Sequence, residues 1–126
     1  SGGWSAIVFL HKLSGQTLKP IMARYASELI CVTDQPGDYH LETNHMLNKR
    51  TRLFFGAVRI GKSYVSYHLM PVYVFSDMLV DLSPELRRRM QGKSCFNFKR
   101  PDGDLFAELN SLTETGFQRY RAAGYV

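Results

Sequence analysis

A chain of 126 residues, 44% hydrophobic and 13% aromatic, has enough apolar material for one compact domain and too little length for two. That composition excludes a disordered tail, and no apolar run approaches the ~20 residues that a bilayer-spanning helix needs. A formal charge of +5 favours anionic company, whether phosphate, nucleic acid, an acidic protein or a membrane surface, although eleven acidic residues are interspersed.

In chain order, Ser1-Gly2-Gly3 reads as a tag remnant, and residues 1–16 read as an N-terminal segment ahead of a domain over residues 17–126. The segment "WSAIVFLHKL" (4–13) is apolar but has no basic leader and no small-residue cleavage site after it, so a cytoplasmic address is expected. Thr17 is placed to cap a helix carrying Leu18, Ile21, Met22, Tyr25 and Leu29 at helical spacing, with Pro20 tolerated in its first turn. "LICVTD" reads as a strand, "DQPGD" as a turn, "YHLET" as a partner strand and residues 44–51 as a loop.

"RLFFGAVRI" and "SYVSYHLMPVYVF", joined by Gly61-Lys62, predict a hairpin with a two-residue turn. That register sets Ile60 opposite Ser63 and Gly56 opposite Tyr67, leaving room for the ring. Phe54, Val58, Ile60, Val65, Tyr67 and Leu69 then share a core face. Phe55, Ala57, Arg59, Tyr64, Ser66, His68 and Met70 share a mixed one. Pro71 marks an edge or a bend. Ser83, Pro84 and Gly92 punctuate a helix, "SCFNF" is a short strand, and a last helix begins near Asp104 with Gly116 permitting close packing. Together these elements predict an α+β domain, an antiparallel sheet packed against N- and C-terminal helices.

The strings "HLMPVY" and "RMQGKSCFNF", with the helix "DLFAELNSLTETGFQRY", resemble the YdhG-like family, domain-of-unknown-function family 1801, over most of residues 17–125. The resemblance implies a bacterial cytoplasmic α+β protein. It also raises a frataxin-like iron chaperone, since some members are described that way. The carboxylate-rich ridge of frataxins is represented in residues 17–34 only by Glu28 and Asp34, set against Lys19 and Arg24.

Two surfaces are candidates for function. On the mixed sheet face Arg59, Tyr64, Ser66 and His68 offer a charge partner and hydrogen-bond donors to a small anionic or planar ligand. Around the Ser83–Gly92 helix, Arg87, Arg88, Arg89, Lys93, Lys99 and Arg100 form a basic rim for polyanions, with Phe96 or Phe98 available to stack on a base. His40, Glu42 and His45 are the nearest thing to a metal cluster, with iron as the ion the resemblance suggests. Cys31 and Cys95 lack zinc-ligand spacing and read as buried core residues; no base is visible to activate Cys95. GxSxG, HExxH, a Walker loop and a dinucleotide fingerprint are all absent. The expected function is therefore a non-enzymatic binding module for a small anionic ligand or a protein partner. An iron chaperone and weak nucleic-acid binding are the alternatives, with no resident cofactor and no membrane insertion expected.

Overall fold

The computed structural model describes residues 2–126, with side chains from residue 6 onward. Helix α1 runs Gly2–Ala23, and β1 (Ile30–Gln35), β2 (Asp38–Met46), β3 (Arg52–Ile60) and β4 (Val65–Leu69) follow. Short helices α2 (Pro71–Val74) and α3 (Pro84–Arg87) lead to β5 (Met90–Gln91), β6 (Cys95–Phe98) and the closing helix α4 (Gly103–Ala122). The strands form one antiparallel sheet in the order β1-β2-β3-β4-β6-β5. Helices α1 and α4 pack against the same face, giving a two-layer α+β domain as the sequence predicts. None of the helices described is long and apolar enough to cross a membrane.

The core lies between those layers. Leu18 and Met22 of α1 reach the sheet, while Leu105, Phe106, Leu109, Leu112, Phe117 and Tyr120 form the buried stripe of α4 at helical spacing. Asp102 caps α4 by accepting from the Leu105 N–H at 3.1 Å. Gly116 does allow a close approach: a Cβ there would stand 2.8 Å from Pro71 Cβ. At the centre, Tyr67 is fully buried and its hydroxyl meets Thr113 Oγ1 at 2.6 Å.

Several expectations are corrected. Helix α1 crosses the expected boundary at residue 16, so Thr17 is no cap but donates back to the Leu13 carbonyl, and Pro20 lies inside the helix. The β3–β4 turn spans residues 61–64, pairing Ile60 with Val65 and Gly56 with Leu69. This two-residue displacement keeps every side chain on its expected side, because strand faces alternate with period two. A bulge does change sides. Leu41 pairs with Gly56 and Glu42 with Phe54, so Phe55 is the extra residue. Phe55 therefore turns into the core and Phe54 joins the other face, the reverse of the expectation. The space over Gly56 is taken by Met22 rather than by Tyr67. At Pro71 the chain bends from β4 into α2, the second of the two expectations there, since β4 is an interior strand and not an edge. Finally, α3 is a single turn: Ser83 caps it, but Arg89 and Met90 are drawn into pairing with β6, and Gly92 (φ 75°) turns between β5 and β6.

Candidate functional site

The sheet face opposite α1 and α4 is uncovered. Its central row runs His40, Ala57, His68 and Cys95 across four paired strands, and the adjacent row runs Asp38, Arg59, Ser66 and Asn97. Three of the four residues expected on this face are thus brought together, Arg59 and Ser66 as direct partners with His68 one row away. Tyr64 is not among them; it lies in the turn, 38% exposed.

The polar groups on this face largely satisfy one another. Ser66 Oγ donates to Asn97 Oδ1 (3.0 Å), and Asn97 Nδ2 donates to Gln91 Oε1 (3.1 Å). The Cys95 thiol lies 3.3 Å from Asn97 Oδ1 and 3.6 Å from His68 Nε2. Cys95 is neither in the core nor without a nearby base, contrary to expectation. Cys31 is exposed at the edge strand, not buried. The thiol–imidazole pair is nevertheless electrically quiet. Burial pushes the Cys95 thiol up, and burial, helped by Arg59 and His40, pulls the His68 imidazole down, so both stay neutral near pH 7. Arg59 Nε stands 3.4 Å from Asp38 Oδ1, so the charge expected to receive a ligand already faces a carboxylate. This contact and the 3.2 Å approach of His40 Nε2 to Glu42 Oε2 are close enough to attract, but neither is aligned as a hydrogen bond.

The residues expected to form a basic rim are dispersed. Arg87, Arg88, Arg89, Lys93, Lys99 and Arg100 are all exposed. Arg87 reaches the Leu79 carbonyl, Lys93 sits 5.7 Å over the Tyr73 ring, and only Arg89, Lys99 and Arg100 gather, around a depression of about 330 Å³. Phe96 and Phe98 are 0% and 2% exposed and lie under the helices, so neither can stack on a base.

No three His, Cys, Asp or Glu side chains among the described residues converge on a metal-sized space. His40 and Glu42 are adjacent, but His45 turns away to pack on Tyr125, with ring centroids 4.6 Å apart. Asp34 pairs with Lys19 at 2.7 Å and Glu28 with Arg121. These residues do not fit a resident iron.

A second concavity lies elsewhere. A cleft of about 690 Å³ opens between α1 and the tips of the β1–β2 and β3–β4 turns. Helical spacing carries Val8, His11, Lys12, Gly15, Gln16 and Lys19 along its helix wall. Tyr39, Val58 and Ile60 form its apolar sheet wall, and Gly37, Asp38 and Lys62 close its far side. Its depth is set at Gly15, where an added Cβ would stand 2.5 Å from Ile60 Cδ1. His11 is only 5% exposed, and Lys12 and Lys62 have no carboxylate partner among the described residues. Setting residues 1–16 apart concealed this wall. The signal that could have found it is the recurrence of Val8, Lys12, Gln16 and Lys19 at spacings of four, four and three, which places one apolar and three polar side chains on a single helix stripe.

No family model matches the chain, and no curated protein and no solved structure matches it either.

Proposed function

We propose that the chain is a non-enzymatic binding module that holds a small anionic ligand in the cleft between α1 and the two turns. The observation carrying this reading is the pairing of a concave space of about 690 Å³ with two uncommitted ammonium groups, Lys12 and Lys62. On the sheet face both arginines already stand near carboxylates, Arg59 by Asp38 and Arg52 by Glu42, so the small-anion expectation moves from that face to the cleft. Ligand sites are characteristically clefts of roughly 300–1,000 Å³ with a few placed polar groups on largely apolar walls, and this one has that make-up. The likeness to the YdhG-like family belongs to the same proposal and lends it a fold more than a ligand.

Titrating the chain with a panel of small carboxylates and phosphates, followed by amide shifts, tests the reading. Shifts are expected at Gly15, Gly37, Gly61 and Lys62, and they should vanish in a Lys12→Glu/Lys62→Glu variant. If shifts gather instead around Arg89, Lys99 and Arg100, the cleft is not the site and the rim is.

A further inference from the structure

The chemistry of the cleft walls specifies more than a charge, and this step rests on the cleft being the ligand site. We infer that its ligand is an amphipathic organic acid, a free carboxylate with a medium-length aliphatic tail, and not a compact inorganic anion.

The argument begins with what each wall offers. The cations stand near the mouth: Lys12 on α1 and Lys62 on the β3–β4 turn are both exposed and without an acidic partner among the described residues. Lys19 is already matched by Asp34 at 2.7 Å. The interior is apolar. Val58 and Tyr39 are 3% and 5% exposed, Ile60 closes over them, and Val8 faces the opening from α1 at 49% exposure. A hydrated phosphate held between Lys12 and Lys62 would leave Val8 and Ile60, the apolar walls that water still reaches, wet. An aliphatic tail would cover them, and each methylene removed from water adds about 0.8 kcal/mol to binding, so two buried methylenes give roughly tenfold in affinity. One carboxylate is fully matched by the two ammonium groups, whereas a diphosphate would carry as much negative charge as they supply or more, and Asp38 at the same cleft would oppose it.

The charge and the tail should therefore be separable by substitution. Val8 and Lys62 are both solvent-accessible, so the uncharged Val8→Asn and the charge-reversing Lys62→Glu leave the core intact. The experiment compares acetate, butyrate and octanoate by amide shifts and calorimetry on the intact chain. Octanoate is expected to bind at least about tenfold more tightly than butyrate. Val8→Asn should weaken octanoate while leaving acetate unchanged, and Lys62→Glu should weaken all three.

Equal affinities for the three acids, with shifts confined to the cleft, would overturn the aliphatic ligand and leave the small-anion reading standing. No shift in the cleft with any acid would remove both. A parallel arm measures sedimentation with anionic phosphatidylglycerol vesicles and neutral phosphatidylcholine vesicles, because Ile7, Phe9 and Leu13 of α1 are also exposed. Pelleting with the anionic vesicles, together with no response to free octanoate, would replace the free acid by a membrane surface.

Discussion

Tyr67 has no contact with solvent, and its hydroxyl has one partner, Thr113 Oγ1, which itself donates to the Leu109 carbonyl at 2.7 Å. The direction of this chain makes the two ends unequal. Removing the hydroxyl in Tyr67→Phe loses one donated bond and strands nothing, a cost of about 1 kcal/mol, whereas Thr113→Val leaves a buried phenol without an acceptor and costs about 2 kcal/mol. Urea denaturation of both variants should give that order; the reverse order would mean the hydroxyl has another outlet. His68 gives a pH dependence. Its folded pKa lies below the ordinary 6.5, chiefly through burial and then through Arg59 and His40. Between the two values the unfolded chain binds more proton than the folded one, so stability is complete above the unfolded pKa and falls as the pH drops through it. A urea midpoint that falls between about pH 7.5 and about pH 5.5 is expected in the wild type, with a smaller fall in His68→Gln. An unaltered fall in the variant would assign the effect to another group.

Among the elements, α1 departs most from its sequence. Its middle holds Ser14, Gly15, Thr17 and Pro20, and the two hydroxyls donate back to the Leu10 and Leu13 carbonyls. Such residues compete with helical bonding, which is why Thr17 and Pro20 read as a start signal. The length of the packed face on Leu18 and Met22, together with Gly15 seated against Ile60, prevails over propensity. Pro20 is exposed and interior, so Pro20→Ala should restore a hydrogen bond and raise stability by about 1–3 kcal/mol, measured by thermal or urea unfolding. No gain would place Pro20 in a first turn, where its missing N–H costs nothing. The strands were more legible than this helix. Alternation around Val58, Val65, Tyr67 and Leu69 gave their buried side directly, and a turn longer by two residues left that parity untouched. The bulge at Phe55 could not be read, because two successive phenylalanines carry no alternation to reveal which one turns inward. Cys95 was misplaced for a related reason: within "CFNF" the two rings claim the core face, which forces Cys95 and Asn97 outward beside His68.

For the molecule as a whole, the division into two layers decides which charges can act together. Helices on one side leave the basic residues after Ser83 strung along an end of the sheet, with their neighbouring aromatics beneath the helices. Any association with single-stranded nucleic acid should therefore be ionic and indifferent to bases. With about three phosphates contacted, affinity should fall by roughly tenfold to twentyfold between 50 and 200 mM salt, and polyphosphate of equal charge should compete equally well. Competition by one base sequence over another in fluorescence anisotropy would contradict this. The fold class was readable from the order of helices and strands, but the cleft was not, since it is made by residues 8–19 meeting residues 35–39 and 58–62, a juxtaposition with no linear trace.

The seat of Gly15 on Ile60 gives that juxtaposition a gauge. A hydrogen where other residues carry a methyl lets the helix sit low, and Gly15→Ala would have to push the Ile60 side chain aside or lift α1. One carbon atom at this position thus gauges the height of the helix above the turns. Chains differing only there would have clefts of different girth without any alteration in charge.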